Sequence, residues 1–199
     1  MNVLIISSSS KRIDDYYLSI AKSISSYLAK FELYYSEDNI LTFDLIIGGS
    51  VSMMGICYNE FVKHNRKIYS YVTEKYKSDL EMMNESEGHI CSDTFEMKKE
   101  MFNKSYLIVF LPGGTGTISE LLSFVEEKRS NDKDKPIIVY NEDGFYDIFI
   151  NVLNELEKNK FIDESVTNAF VVAKNKNEFV ENIENAIYKR RVKKLWKMN

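Results

Sequence analysis

Apolar positions in this chain come in short unbroken blocks rather than singly. Continuous runs stand at Val3-Leu4-Ile5-Ile6, Phe43-Asp44-Leu45-Ile46-Ile47, Tyr106-Leu107-Ile108-Val109-Phe110 and Pro136-Ile137-Ile138-Val139-Tyr140. Runs of this length, closed by Ser, Gly or Asn, predict strands buried on both faces. Lys67-Ile68-Tyr69-Ser70-Tyr71-Val72 predicts another strand and Phe170-Val171-Val172-Ala173 a last short one, while residues 31–35 predict a short strand before a stretch to Thr42 with no clear pattern. Between these blocks the spacing turns helical. Tyr17, Ile20, Ala21, Ile24 and Leu28 give one apolar face to a helix over residues 14–30. Residues 93–104 predict a helix with Met97 and Met101 on one side. Tyr146, Phe149, Ile150, Val152, Leu153 and Leu156 mark a further helix, and Phe179, Val180, Ile183 and Ile187 one over residues 177–194. Residues 73–87 are polar without periodicity and predict a loop or surface helix. Apolar strands alternating with helices imply an α/β fold: a doubly wound, mostly parallel, Rossmann-like sheet in a single domain over residues 1–199. Such sheets carry their ligand crevice at the carboxyl ends of the strands.

Two strands break into glycine turns that open helices. The first reads Gly48-Gly49-Ser50-Val51-Ser52-Met53-Met54-Gly55, with a helix running to about His64; the second reads Leu111-Pro112-Gly113-Gly114-Thr115-Gly116-Thr117-Ile118-Ser119-Glu120. Gly113, Gly114 and Gly116 permit backbone angles and close approaches that side chains forbid. Their N–H groups, with those of the first helical turn, suit an anion such as a phosphate. Gly113, Gly114, Thr115, Gly116 and Thr117 are therefore candidate phosphate ligands, joined across the crevice by Gly49 and Ser50. Glu120, in the first helical turn on this reading, can reach past a phosphate to its sugar; equally, Thr117-Ile118-Ser119-Glu120 satisfies the capping box. The serines that follow the first strand, Ser8 among them, either bind ligand or supply a helix cap at Ser10. No Lys follows the glycines as in a Walker A loop, and their spacing is wrong for the dinucleotide turn.

Composition narrows the function more than the fold. The 199 residues carry a net charge of −4, which argues against a general nucleic-acid-binding surface. No apolar run reaches the roughly 20 residues of a membrane span, and residues 3–6 are too short for the apolar core of a leader. The expectation is a cytoplasmic protein with no nucleic-acid or membrane partner. Cys57 and Cys91 show neither disulfide nor zinc spacing, and His64 and His89 are isolated, so no metal is expected. The basic tail at 189–199, with Lys189, Arg190, Arg191, Lys193, Lys194 and Lys197, reads as a solvated helix end.

The motif Leu111-Pro112-Gly113-Gly114-Thr115-Gly116-Thr117-Ile118-Ser119-Glu120 resembles the PGGxGTxxE signature of the LONELY GUY family, cytokinin-activating phosphoribohydrolases often misnamed lysine decarboxylases. The turn at 48–55 resembles that family's GGGSVGLMG, with one glycine missing and Ser52 where a glycine is usual; the serine loop, Asn141-Glu142-Asp143-Gly144-Phe145-Tyr146 and Lys160-Phe161-Ile162 fit as well. The resemblance implies hydrolysis of the N-glycosidic bond of a nucleoside 5′-monophosphate, giving free base and ribose 5-phosphate, without an organic cofactor and in a homodimer. It favours Glu120 as a catalytic carboxylate acting at the ribose. It also aligns Asp93 and Thr94-Phe95-Glu96-Met97-Lys98 with a substrate-contacting helix motif resembling MHxRK. Lys98 is kept as the second catalytic candidate, whereas Met97 stands where the Arg belongs, removing a fixed multi-donor fork. The family's Trp-containing stretch after the glutamate is absent here, where Ser123-Phe124-Val125-Glu126-Glu127-Lys128 stands. Related domains that bind nucleotides without turnover, and nucleoside deoxyribosyltransfer by the same carboxylate, are the alternatives.

Overall fold

The computed structural model describes residues 1–36, 39–132 and 134–196. Its nine strands are β1 (Asn2–Ile6), β2 (Glu32–Ser36), β3 (Asn39–Thr42), β4 (Asp44–Ile47), β5 (Ile68–Thr73), β6 (Glu87–Cys91), β7 (Leu107–Phe110), β8 (Ile137–Tyr140) and β9 (Val171–Ala173). The helices are α1 (Asp15–Lys30), α2 (Met53–Lys63), α3 (Ser78–Met82), α4 (Thr94–Lys104), α5 (Thr115–Ser130), α6 (Asp147–Lys158), α7 (Glu164–Thr167) and α8 (Lys176–Trp196), with single 3-10 turns at Glu74–Tyr76 and Glu142–Gly144. Seven strands form a parallel sheet in the order β6-β5-β4-β1-β7-β8-β9, with helices flanking it, which is the expected α/β class. The strands β4, β1, β7 and β8 are the unbroken apolar runs of the sequence, and nearly every one of their residues is buried. Burial on both faces is what made them legible.

By its contacts the chain divides into two compact units, residues 1–120 and residues 121–199. The first holds β1, β4, β5, β6 and β7. Here the chain steps outward from β1 through β4 and β5 to β6, then returns to place β7 on the other side of β1. That reversal is a topological switch point, and it opens a crevice at the carboxyl ends of β1 and β7. The second unit holds β8, β9 and α6 to α8. Its Asn141 is buried and fully engaged: its side chain accepts from the Tyr146 N–H at 2.6 Å and donates to Asp147 Oδ1 at 2.7 Å, and its own N–H donates to the Ala173 carbonyl. The Asn-Glu-Asp-Gly turn is thereby locked, with Asp143 and Gly144 both at positive φ.

Residues 73–87, expected as a loop or surface helix, hold a 3-10 turn and α3, and at Glu87 they enter the edge strand β6. Glu87, Gly88 and Ile90 of β6 are exposed, so this strand lacks the apolar run that marks the inner ones. The short strand expected over residues 31–35 is β2, which pairs antiparallel with β3 in a separate two-stranded sheet. The cap of α1 is Asp14, whose carboxylate accepts from the Tyr16 N–H at 2.8 Å, and not Ser10, whose hydroxyl accepts from the Arg12 N–H. Both cysteines are buried free thiols, and burial pushes Cys57 up to about 12. Among the described residues no helix is long and apolar enough to cross a membrane. The tail runs helically to Trp196; the side chains of 190–196 and all of 197–199 lie outside the described residues, and the reading of that basic tail lies there with them.

Candidate active site

The crevice is built from strand ends held in fixed register. Ile6 of β1 pairs with Phe110 of β7, the Leu111 N–H donates to the Ile6 carbonyl at 2.9 Å, and the Ser8 N–H donates to the Pro112 carbonyl at 3.2 Å. The serine loop is thus tied to the start of the glycine turn. Ser8 Oγ accepts from the Ser10 N–H at 3.1 Å, which tightens the loop. Ser7, one residue nearer the sheet, is buried, and its hydroxyl has no hydrogen-bond partner.

In the turn itself, Gly113 is buried, and a Cβ there would collide with the side chain of Thr117, 2.6 Å from its Cβ. Close packing, not unusual backbone angle, is what demands this glycine: none of the turn glycines has a positive φ. Gly114 and Gly116 face open space, and Gly114, Thr115 and Gly116 are exposed. Helix α5 begins at Thr115, and the Ile118 N–H closes its first bond on the Gly114 carbonyl at 3.1 Å. The N–H groups of its first turn have no intrahelical acceptor and stand beside the exposed turn. A start at Thr115 also overturns the capping box. Thr117 is already inside the helix, and Glu120 lies in the second turn rather than the first.

Glu120 is therefore free of capping duty, and its surroundings set its chemistry. Burial pushes its carboxyl from the ordinary 4.5 up to about 7, and the Lys98 ammonium pulls in the opposite direction. The structure thus brings together the two residues proposed as catalytic. Lys98 arrives on α4, which packs against β1, β4, β5 and β6. Asp93 fixes the start of α4 by accepting from the Phe95 and Glu96 N–H groups, both at 2.8 Å, while Glu96 accepts from the Ser92 N–H at 2.6 Å. That makes Asp93 the cap that orients Lys98. Met97 is half-buried beside it.

The first glycine turn lies at the end of β4. A Cβ on Gly49 would stand 2.8 Å from the Met54 methyl, and one on Gly55 would strike the Ser50 carbonyl. Ser52 takes φ 58° and ψ −127°, a conformation natural to glycine, and its hydroxyl makes no cap bond to α2. The glycine usual at this position therefore has a backbone reason. Ser50 Oγ points its hydrogen bond at Met82 Sδ, 3.7 Å away. Sequence patterns gave no sign of Met82 or of Asp79, whose Oδ2 would stand 3.7 Å from a Cβ on Gly49, because neither belongs to a motif or a periodic face; Ser7 is one of the serines after the first strand. Among the described residues no group of His, Cys, Asp and Glu is arranged to hold a metal ion.

The model of the family described as possible lysine decarboxylase matches residues 52–183. The chain belongs to this family. Within it, the chain is 30% identical over 144 residues to the probable cytokinin riboside 5′-monophosphate phosphoribohydrolase LOGL6 of Oryza sativa subsp. japonica, covering 71% of this chain and 57% of that protein. It is 30% identical over 139 residues to the cytokinin riboside 5′-monophosphate phosphoribohydrolase LOG5 of Arabidopsis thaliana, covering 69% and 60%. The match thus spans less than two thirds of the length of these relatives. Among solved structures, the molybdenum cofactor carrier protein of Chlamydomonas reinhardtii shares the fold with a TM-score of 0.67 at 11% identity, covering 94% of this chain and 98% of that one. The molybdenum cofactor binding protein of Rippkaea orientalis does so with a TM-score of 0.62 at 16% identity, covering 94% and 95%.

Proposed function

We propose that this protein hydrolyses the N-glycosidic bond of a nucleoside 5′-monophosphate. The observation that carries the reading is the half-buried Glu120 carboxyl, set behind an exposed glycine turn and balanced by Lys98. The turn at 113–117 holds the 5′-phosphate on backbone N–H groups and threonine hydroxyls, which leaves the ribose over Glu120. As the C1′–N bond breaks, its electron pair leaves with the base, which takes up a proton. Positive charge then spreads over C1′ and the ring oxygen. An ionised carboxylate beside that centre, in a site with little water, stabilises it strongly. Water adds its oxygen to C1′ and releases one proton, which balances the proton taken up by the base and completes ribose 5-phosphate. Lys98 keeps part of Glu120 ionised near neutral pH, where burial alone would protonate it. The names of the plant relatives, phosphoribohydrolases of a nucleoside 5′-monophosphate, support the same bond and substrate class.

The reading extends to a homodimer, for Ile148, Val152, Leu156 and Phe161 leave an exposed apolar stripe on and beside α6 that self-association would cover. Incubation with each common ribo- and deoxyribonucleoside 5′-monophosphate tests the activity. Equal amounts of free base and sugar 5-phosphate are expected from at least one of them, and no base from any refutes the hydrolase. Met97 favours a second reading, binding without turnover, because its thioether cannot supply the guanidinium fork of the family motif. In that case one nucleotide raises the melting temperature and is recovered intact.

A further inference from the structure

The reading above leaves the base unplaced, and the strand order supplies its position. β7, β1 and β4 are consecutive neighbours, and with strands ~4.8 Å apart the step from the end of β7 to the end of β4 is about 10 Å. A nucleotide with its phosphate on the turn after β7 and its ribose across the end of β1 extends its base over the turn after β4. That turn is walled by α3 and by methionines. A Cβ on Gly49 would meet Met54 and stand 3.7 Å from Asp79 Oδ2, while Met82, 65% exposed, rests its sulfur on Ser50. Thioethers make soft, adaptable contacts with flat rings. Asp79 is the polar group of this wall. Its carboxylate is half-buried, has no hydrogen-bond or ion-pair partner among the described residues, and lies on the side of Gly49 where a Cβ would project.

We propose that Asp79 reads the base of the bound nucleotide and selects one carrying an exocyclic amino group over its keto counterpart. The proposal rests on the nucleotide reading of the site. A carboxylate only accepts hydrogen bonds, so it gains a partner from an amino group and faces like partial charge from a carbonyl at the same ring position. Asparagine in its place offers both a donor and an acceptor and cannot discriminate in this way.

Affinity rather than turnover gives the test, so that failure of the hydrolase does not silence it. The Glu120→Gln protein and the Glu120→Gln/Asp79→Asn protein are titrated with adenosine, inosine, cytidine and uridine 5′-monophosphates, with folding checked by melting temperature. In the first protein the amino member of a pair binds about tenfold tighter or better, the worth of one hydrogen bond to a charged group. In the second the two members come within about threefold of each other. Equal or tighter binding of the keto member by the first protein overturns the proposal, as does a preference that survives Asp79→Asn. If wild type releases base while that preference is untouched, the inference about Asp79 fails alone. If no nucleotide binds the folded protein, the proposed function fails with it.

Discussion

Glu120 should cost the protein stability in return for chemistry, and the cost can be worked from its surroundings. Its carboxyl titrates at about 7 in the folded chain against an ordinary 4.5. A raised carboxyl pKa means that the folded state binds the proton more tightly than the unfolded state does. Stability is then full below pH 4.5 and is lost as the pH rises through about 7. At about 1.4 kcal/mol per pH unit, the gap between 4.5 and about 7 amounts to about 3 kcal/mol at pH 8, a large share of a typical domain's total. Glu120→Gln removes the charge but keeps the shape. Urea unfolding of wild type and variant at pH 4 and pH 8 reads the difference directly. The two proteins should be within ~0.5 kcal/mol of each other at pH 4, and the variant more stable by about 3 kcal/mol at pH 8. A variant no more stable than wild type at pH 8, or a gap of the same size at both values, would refute the burial argument.

The same titration governs the rate. If Glu120 acts ionised, kcat/KM should rise roughly tenfold per pH unit below its pKa and level off above about 7, whereas a flat profile from pH 5 to 8 assigns the chemistry elsewhere. Ser52→Gly relieves a glycine-like backbone at φ 58° and should raise stability by about 1 kcal/mol in thermal unfolding; a loss of stability would show that the hydroxyl contributes something the structure does not reveal. Met97→Arg restores the family's fork beside Lys98. Turnover should rise by about tenfold or more if this residue limits the rate, and unchanged or lower turnover counts against that idea.

Much of this architecture was legible because burial writes itself into composition. The strands β1, β4, β7 and β8 are apolar on both faces, and α1 shows one clean apolar stripe, so their order alone implied a parallel sheet with its site at the strand ends. The glycine turns were visible for the same kind of reason, since Gly113 has no room for a Cβ against Thr117. What stayed hidden is what burial does not mark. Strand β6 sits at the sheet edge with exposed residues, and α3 is a single short turn that brings Met82 Sδ to 3.7 Å from Ser50 Oγ and Asp79 near Gly49. The capping box misled because its pattern is purely local. Helix α5 opens at Thr115, two residues before Thr117, so the sequence match carries no cap. The partnership of Lys98 with Glu120 has no spacing rule at all; it comes from α4 crossing the sheet, and only the family resemblance pointed to it.

The central claim is that Glu120 performs chemistry on a nucleotide held by the glycine turn. It is tested most directly by comparing wild type with Glu120→Gln on one nucleoside 5′-monophosphate, following released base by chromatography and nucleotide affinity by titration. The account predicts that turnover falls by about a thousandfold while the nucleotide still binds, since the carboxylate matters at the transition state and the turn carries the phosphate. Turnover within about tenfold of wild type would contradict it, and Glu120 would then be no more than a buried acid at the mouth of a binding site.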